Sequence, residues 1–385
     1  MSTRFALIFF GSIALAVATA SGAPSDGWQL PEFGPVERFA TLPARSSPTG
    51  VAEGHPEGLC ADSQGNIYAD SFEQPTSTGY VLNYIYTFRH DGKLLTATPL
   101  PISTSFSPVP LGCAAKGNKL YVNDVYGGNE LEYSLPLNDS SLPDRTFPIC
   151  GGFIGNPGLT CGLNANYVGP DGRVYMSDNG AGLFGDFVGR IWVLDPETGT
   201  SGIFIDPPQI AVANLPVADY VPTGTVLPYS ANGIAFSRDG SALYIANMST
   251  NIIYKQKVNH CNSIVGCEPE GQIVQFSNDP HHLIQGPDNI DFDNNGNLWI
   301  ASGQDQHVIG LDCRGDIIGV FGQFFGFDKE GAPLGLLQPS GVIFSKGNIY
   351  VGNESSQSLL PAADNVNWSA QKLFTISVFD PDQRW

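Results

Sequence analysis

The stretch SANGIAFSRDGSALYIAN, residues 230–247, decides the fold. Two runs of alternating apolar residues flank the turn at Asp239-Gly240, a pattern that predicts two short antiparallel strands joined by a tight turn. Asn232 stands at the start of the first strand, where a β-branched apolar residue would be the better strand former. The choice of an amide at that position therefore needs an explanation beyond strand formation.

The same pattern occurs six times along the chain. The other copies are PEGLCADSQGNIYAD from residue 56, PLGCAAKGNKLYVND from 110, LNANYVGPDGRVYMSD from 163, PDNIDFDNNGNLWIAS from 287 and PSGVIFSKGNIYVGN from 339. An aromatic residue anchors the second strand of every copy, namely Tyr68, Tyr121, Tyr175, Tyr244, Trp299 and Tyr350. A period near 50 residues with this strand content is typical of a β-propeller, in which each repeat forms a four-stranded blade. We therefore predict an all-β fold, a six-bladed β-propeller with a central channel.

One propeller domain accounts for residues 21–385, since a pair of β-sandwiches would not explain six equivalent anchors. The segment WQLPEFGPVERFATLP, residues 28–43, supplies a strand that can close the ring beside KLFTISVFD, residues 372–380. The interval between the third and fourth anchors is longer than the others, and its excess lies in the apolar, proline-rich segment 205–230. Such a segment either covers a binding site or packs on the surface as an insertion.

The first 20 residues have the organisation of a secretory signal peptide. A short basic start is followed by the apolar run FALIFFGSIALAVA and by Ala18-Thr19-Ala20, a small-residue cleavage site. A membrane anchor is the alternative, but the run is short for a bilayer span. We expect a secreted, extracellular protein. Four Asn-X-Ser sequons would accept glycans in a eukaryotic host, at Asn138, Asn247, Asn353 and Asn367.

Seven cysteines are compatible with disulfide bonds in a secreted protein. The closest pairs in sequence are Cys150 with Cys161 and Cys261 with Cys267. A third pair, Cys60 with Cys113, would leave Cys313 free. The Cys-x₂-Cys spacing of zinc sites is absent from the sequence.

The charge balance limits the partners. The chain has 37 acidic and 18 basic residues, a formal net charge of −19. Such a surface repels nucleic acid and anionic membranes, and it is compatible with cation binding. We expect a monomer that acts on a small-molecule substrate.

The residue before the first strand of each copy is the candidate ligand position. These residues are Glu57, Leu111, Asn164, Asn232, Asp288 and Ser340. In a propeller they lie at similar depth around one axis, so residues far apart in sequence can face one point. Side-chain oxygens from carboxylates and amides are the ligands of Ca²⁺, and Asn289 could add another. Such residues also make local turn hydrogen bonds, but four in register, two of them acids, favour a shared ion.

The motifs PEGL, NANYVGPDGR, ANGIAFSRDGSALYIAN and PDNIDFDNNGNLWIAS carry a family resemblance. Through them the chain resembles the senescence-marker-protein/gluconolactonase family and the related paraoxonases. The resemblance implies a six-bladed propeller with Ca²⁺ in its channel. Glu57, Asn232 and Asp288 match calcium ligands of the gluconolactonase-like proteins. Asn164 matches their substrate-contacting asparagine, which is a metal ligand in paraoxonases, and Asn289 matches a further paraoxonase ligand.

The chain departs from both patterns at other site positions. Gly162 stands where gluconolactonases have an arginine, which speaks against a sugar-acid substrate. Leu111 and Asp124 stand where paraoxonases have two channel histidines, which speaks against a histidine mechanism.

These residues predict a secreted calcium-dependent hydrolase of lactones or esters. A channel ion with an open coordination position would polarise the carbonyl of the substrate as a Lewis acid. Asp288 is the first candidate general base and Asp124 the second. Asn164 and His55, which lies two residues before Glu57, are the candidate substrate-binding residues.

Two other functions are compatible with the same residues. The first is a propeller enzyme that catalyses cyclisation or condensation of a small natural product without hydrolysis. The missing arginine and histidines and the apolar segment favour it. The second is a non-catalytic binding propeller that calcium only stabilises.

Overall fold

A computed structural model describes residues 33–46, 52–72, 82–101, 108–125, 127–150, 161–178, 190–205, 231–248, 250–262, 266–355 and 366–382. These residues form six four-stranded antiparallel sheets and two short strand pairs. Their one helical element is a 3₁₀ turn, Trp368–Ala370. No helix of the described part of the chain is long and apolar enough to cross a membrane.

The strands are numbered in chain order. The chain begins with β1 (Glu37–Thr41) and the short pair β2 (Arg45–Ser46) and β3 (Ala52–Glu53). Blade I contains β4 (His55–Ala61), β5 (Ile67–Phe72), β6 (Tyr84–Phe88) and β7 (Leu94–Pro99). Blade II contains β8 (Cys113–Lys116), β9 (Lys119–Asp124), β10 (Asn129–Ser134) and β11 (Arg145–Pro148). Blade III contains β12 (Leu163–Val168), β13 (Val174–Asp178), β14 (Arg190–Asp195) and β15 (Thr200–Ile205).

The second half of the chain continues the series. Blade IV contains β16 (Ala231–Phe236), β17 (Ala242–Asn247), β18 (Ile252–Asn262) and β19 (Gly266–Gln275). Blade V contains β20 (Pro287–Phe292), β21 (Leu298–Ser302), β22 (His307–Leu311) and β23 (Ile317–Phe321). The hairpin β24 (Phe324–Phe327) and β25 (Pro333–Gly335) precedes blade VI, which contains β26 (Pro339–Ser345), β27 (Asn348–Asn353), β28 (Thr375–Phe379) and β1.

The sheets are arranged as a closed ring. The inner strands β4, β8, β12, β16, β20 and β26 contact one another in that order, and β26 contacts β4. Each inner strand therefore lines a common central channel. The predicted fold class, an all-β six-bladed propeller, is confirmed.

The ring closes through the two ends of the described chain. β1 forms the outer strand of blade VI and pairs antiparallel with β28, with Glu37 opposite Val378 and Thr41 opposite Thr375. The prediction that residues 28–43 close the ring beside residues 372–380 is confirmed for the described part of the first segment. Because a strand from the N-terminal side completes the last sheet, that sheet has its full set of four strands.

All six aromatic anchors are buried, and Tyr68, Tyr175 and Trp299 also have a hydrogen-bond partner in the preceding turn. The Asp62 carboxylate accepts a hydrogen bond from the Tyr68 hydroxyl at 2.9 Å, and Asp293 accepts one from the indole N–H of Trp299 at 3.0 Å. The same aspartates accept backbone N–H groups of their own turns. The anchor Tyr244 packs edge-to-face on Phe292 of the next blade. The anchors therefore bury apolar area in the core, and the polar tips of these three stay hydrogen-bonded.

All three predicted disulfides are present. Cys150 pairs with Cys161, Cys261 pairs with Cys267, and Cys60 pairs with Cys113, while Cys313 is free and exposed. The Cys60–Cys113 bond joins the inner strands of blades I and II. The predicted signal peptide and nearly all of the segment 205–230 lie outside the described residues, so their roles stay predictions.

We expect the double variant Cys60→Ser/Cys113→Ser to be less stable than the wild type by about 2–5 kcal/mol, because this bond closes a loop of 53 residues in the unfolded chain. Denaturant unfolding under oxidising conditions measures the loss. Cys313→Ser is the matched control and should unfold at the wild-type midpoint. An unchanged midpoint in the double variant would contradict a stabilising role for the bond.

Candidate metal centre

A β-bulge interrupts the first strand of five blades close to its start. The register of each inner strand shifts between residues 56 and 59, 163 and 166, 231 and 234, 287 and 290, and 339 and 342. Each bulge therefore holds two residues that leave the regular strand alternation, and bulges re-aim side chains in this way near functional sites. The first bulge residue is the candidate ligand position in every case, namely Glu57, Asn164, Asn232, Asp288 and Ser340.

Neighbouring bulges touch backbone to backbone around the channel. A Cβ atom placed on Gly233 would lie 2.3 Å from the Asp288 carbonyl oxygen, and one on Gly341 would lie 2.7 Å from the Glu57 carbonyl oxygen. Only glycine permits so close an approach of two strands. The ligand positions of adjacent blades are consequently held side by side at one level of the channel.

Three carboxylates meet at this level. Glu57, Asp288 and Glu354 each offer an oxygen, and these oxygens all lie within 4.8 Å of one another. The three residues are buried, with relative exposures of 6%, 5% and 2%. No salt bridge to lysine or arginine joins any of them within the described ranges. The cluster thus concentrates negative charge away from solvent without a basic side chain to offset it.

Several oxygens around this cluster lack hydrogen-bond partners. Within the described residues, four buried side-chain oxygens of the bulges and of Glu354 have no donor, namely Asn164 Oδ1, Asn232 Oδ1, Asp288 Oδ1 and Glu354 Oε1. Buried polar atoms are normally paired, so unpaired ones need an explanation. A set of carboxylate and amide oxygens is the donor set of a hard cation such as Ca²⁺. The residues therefore fit a divalent cation.

The electrostatics lead to the same requirement. Two ionised carboxylates 4.8 Å apart repel each other by about 3 kcal/mol at an effective dielectric constant near 20. Burial raises the pKa of Asp288 to about 8, although a hydrogen bond from Asn232 opposes the shift. Burial, and then the charges of Glu354 and Asp288, hold the pKa of Glu57 well above its usual range. Burial first, and then Asp288, likewise raises the pKa of Glu354. Without a cation the cluster therefore retains protons, and a bound cation would favour the ionised forms.

The predicted ligands differ in how directly the structure relates them to the cluster. Glu57 and Asp288 belong to it, and Asn232 is hydrogen-bonded to Asp288. Asn164 presents its unpaired oxygen from the equivalent bulge of blade III. Asn289 occupies the second bulge position of β20 and lines a cavity of about 230 Å³ in the channel. Metal ligation by each of these residues stays a prediction.

His55 adjoins the cluster through the backbone of Glu354. Its Nδ1 lies 2.7 Å from the Glu354 carbonyl oxygen, and its ring packs edge-to-face on Phe374 with centroids 4.4 Å apart. Burial lowers the pKa of His55 to about 4. Because a carbonyl oxygen can only accept, Nδ1 of the neutral ring carries the proton and Nε2 is the unprotonated nitrogen.

The structure does not bring Asp124 into the carboxylate cluster. Asp124 ends β9, and its carboxylate accepts the backbone N–H of Val109 at 3.2 Å and the Asn129 amide at 3.4 Å. Asp178 and Asn353 end the equivalent strands and likewise accept a backbone N–H from the preceding connection. These contacts give Asp124 a structural partner, and its catalytic role stays a prediction.

Sequence reasoning missed Glu354. It follows Asn353 at the end of β27, whereas the candidate ligands were sought only at the starts of inner strands. A comparison of the residues four places after each anchor would have found it. The other copies have Phe72, Val125, Asn179, Met248 and Gly303 there, and Glu354 is the one acid in the set.

In the first three blades a polar side chain of the second strand binds the backbone at or just before the start of the inner strand. Asp70 accepts the N–H of Gly58 at 2.8 Å, Asn123 accepts that of Leu111 at 2.9 Å, and Ser177 accepts that of Ala165 at 2.9 Å. The equivalent residues in blades IV to VI are Ala246, Ala301 and Gly352, which have no polar side chain. Side-chain hydrogen bonds within the blade therefore fix the bulges of blades I and III and the segment before β8 in blade II.

A buried acid extends this network between blades II and III. Asn123 donates to the Asn164 carbonyl oxygen and to Asn166 Oδ1, and the Asn166 amide donates to Glu130 Oε1 at 2.7 Å. Glu130 is fully buried, and its Oε2 has no partner within the described residues. Burial holds the pKa of Glu130 well above its usual range. The carboxyl group is therefore favoured in its neutral form inside the fold.

Comparison with known proteins supports the fold and relates part of the chain to one protein family. Residues 161–321, which contain all of blades III to V, match the model of the SMP-30/gluconolactonase/LRE-like region. The resemblance to the senescence-marker-protein/gluconolactonase family is confirmed for this region. None of the curated proteins matches the chain.

Solved structures share the architecture at low sequence identity. A luciferin-regenerating enzyme is 15% identical with a TM-score of 0.58, covering 90% of this chain and 95% of that chain. A calcium-binding protein, regucalcin, from Agrobacterium tumefaciens is 15% identical with a TM-score of 0.54, covering 92% and 100%. A gluconolactonase from Xanthomonas campestris is 14% identical with a TM-score of 0.51, covering 91% and 99%. At these identities the likeness establishes the fold.

We expect Glu130→Gln to reduce the loss of stability that accompanies rising pH. The folded state holds the Glu130 proton more tightly than the unfolded state, so wild-type stability falls as pH rises above about 4.5 toward the raised pKa. One such group contributes a slope of at most about 1.4 kcal/mol per pH unit. Glutamine cannot ionise and should remove this contribution.

Urea unfolding of the wild type and of Glu130→Gln at several values from about pH 4 to about pH 8 measures the difference in the free energy of unfolding. Glu330→Gln, a change on the exposed hairpin between β24 and β25, is the control and should follow the wild type. If the free energy of unfolding of the wild type and of Glu130→Gln changed with pH in the same way, folding would not disfavour ionisation of Glu130, and the prediction would be wrong.

Proposed function

We propose that this SMP-30/gluconolactonase/LRE-like propeller is a calcium-dependent hydrolase of lactones or esters. One observation carries the proposal. Glu57, Asp288 and Glu354 place three buried carboxylate oxygens within 4.8 Å of one another, and the amide oxygens at the equivalent bulge position of two further blades are unpaired. Carboxylates that repel one another when ionised, in a site that offers only oxygen ligands, are well suited to hold Ca²⁺.

The proposed ligands come from five blades. They are Glu57, Asn164, Asn232, Asp288 and Glu354, with Asn289 as a further candidate beside Asp288. When bound, the ion would supply Lewis-acid polarisation of a carbonyl group, the chemistry that ester and lactone hydrolysis needs. The gluconolactonase and the calcium-binding regucalcin among the similar structures support this combination of fold, metal and reaction class.

Asp288 is the proposed general base. Its Oδ1 is buried and accepts no hydrogen bond from the described residues, while Asn232 and the backbone of residue 289 donate to its carboxylate. Those two donors fix the orientation of the group and leave an acceptor atom for the proton of an attacking water molecule. A base of this kind typically contributes about 10²–10⁴-fold to the rate.

His55 and Asn164 are the proposed substrate contacts. The neutral His55 ring is held next to the carboxylate cluster by the Glu354 carbonyl oxygen and by Phe374, which gives it a fixed orientation for a substrate contact. Gly162 offers no cation for a sugar acid, so we propose an uncharged lactone or ester as substrate.

The three disulfides indicate an oxidising environment. Together with the apolar N-terminal run they support secretion through a signal peptide at residues 1–20. We also propose that the protein acts as a monomer on a small molecule, since its net charge of −19 disfavours nucleic acid and anionic membrane surfaces.

We expect calcium to raise the melting temperature of the wild type and to do so much less in Glu354→Gln. A ligand present at about 100 times its Kd stabilises the folded state by roughly 2.7 kcal/mol. Removing one carboxylate weakens both the coordination and the charge balance. Thermal unfolding with calcium and with chelator measures the shift.

Glu330→Gln is the matched control, because it removes one exposed negative charge from the hairpin between β24 and β25. It should keep the full calcium shift. A full shift in Glu354→Gln would place the ion elsewhere.

We expect Asp288→Asn to lower kcat for lactone or aryl-ester hydrolysis by about 10²-fold or more at saturating calcium. Chelator should abolish wild-type turnover while the fold is retained. A panel of lactones, aryl esters and phosphotriesters, assayed with and without calcium, measures both effects. The variant Asp124→Asn tests the alternative base. If Asp124→Asn lost turnover while Asp288→Asn stayed active, Asp124 would be the general base.

The remaining outcomes identify the other functions. A calcium-dependent melting temperature without turnover of any substrate indicates a non-catalytic propeller that calcium stabilises. Turnover that is insensitive to Glu57→Gln and Asp288→Asn indicates chemistry that does not use this centre.

A further inference from the structure

The four Asn-X-Ser sequons have the same sequence pattern, but their asparagines differ in position and burial in the fold. Asn247 and Asn353 end the second strands of blades IV and VI. Asn138 lies in the turn between β10 and β11, and Asn367 lies in the loop before β28. Two are therefore part of the sheet architecture, and two are in connections.

Asn353 is completely buried, and its amide is fully engaged. Its Nδ2 donates to Thr375 Oγ1 at 2.8 Å and to Ser377 Oγ at 3.1 Å, and its Oδ1 accepts the Leu337 N–H at 3.0 Å. A sugar on Nδ2 would break the donor contacts to β28 and would have no space. The folded propeller is consequently incompatible with a glycan at this position.

Asn247 is in a similar position in blade IV. It is 3% exposed, and its Oδ1 accepts the Thr250 N–H at 3.1 Å, which closes the turn after β17. Its neighbours Ala246 and Ile245 are fully buried. A glycan here would have to emerge through the packed end of the blade.

Asn138 and Asn367 are exposed and share one local geometry. In each, the Oδ1 atom accepts the hydroxyl of the serine two residues later at 2.7 Å, from Ser140 and from Ser369 respectively. The carbonyl side of the amide is thereby used within the sequon itself. No buried contact of the described residues has to be broken to modify either nitrogen.

We propose that the folded protein carries N-linked oligosaccharides on Asn138 and Asn367, and on neither Asn247 nor Asn353. The co-reactant is a lipid-diphosphate-linked oligosaccharide of a secretory pathway. The amide nitrogen forms a bond to the sugar C1 as the C1–oxygen bond to the diphosphate breaks. The amide loses one proton, and the lipid diphosphate leaves without any change of oxidation state.

The two glycans would stand at opposite ends of the propeller. The turn after β10 lies at the end of blade II away from Asp124, whereas the loop before β28 follows Asn353 and Glu354 at the end that contains the carboxylate cluster. That loop ends at Phe374, whose ring packs on His55. The Asn367 glycan therefore belongs to the face of the candidate metal centre.

Expression of the full chain in a eukaryotic secretory host tests the proposal. Peptide mapping after enzymatic deglycosylation, which converts a modified asparagine to aspartate, should find the conversion at positions 138 and 367 alone. Ser140→Ala and Ser369→Ala keep each asparagine but destroy its sequon, and each should remove one glycan from the intact protein. The double variant should migrate with the enzymatically deglycosylated wild type.

Ser249→Ala destroys the sequon of Asn247 and is the matched control, with no expected change of mobility. A glycan found on Asn247 or Asn353 in the folded protein would overturn the proposal. So would unmodified asparagine at both 138 and 367, whether the protein is recovered from the medium or from the cells.

Discussion

Mutual repulsion among three buried carboxylates is the constraint on which the site depends. Glu57, Asp288 and Glu354 come from blades I, V and VI, and the closed ring prevents them from moving apart. Burial raises their pKa values, so the chain must either bind protons there or bind a cation. The unpaired amide oxygens of Asn164 and Asn232 favour the cation, because they add neutral oxygen ligands of the kind that a hard cation requires.

The strand bulges convert a repeated sheet into a converging site. A regular inner strand would alternate its side chains between the two faces of the blade, whereas the bulges free two residues per blade from that alternation. Glycine at the second bulge position, as at Gly233, lets the next blade approach to backbone contact. The same packing that closes the ring therefore sets the distance between ligand positions.

The fold and part of the centre were predictable because both repeat. Glu57, Asn232 and Asp288 occupy the same position in copies of one repeated pattern, so alignment of the copies was enough to place them together. Glu354 was not predictable that way, since it comes from a second strand and has no acidic counterpart in the other copies. The different accessibility of Asn138 and Asn353 was also not predictable, because a three-residue sequon does not specify which other parts of the chain pack over it.

The pairing of β1 with β28 sets the order in which the centre can be assembled during biosynthesis. Glu57 is synthesised early and Glu354 near the end, and the sheet that carries Glu354 lacks its outer strand until both ends of the chain meet. The three carboxylates consequently come together late, when the ring of six blades is complete. A nascent chain would keep its acidic groups hydrated until then, which postpones the cost of concentrating their charge.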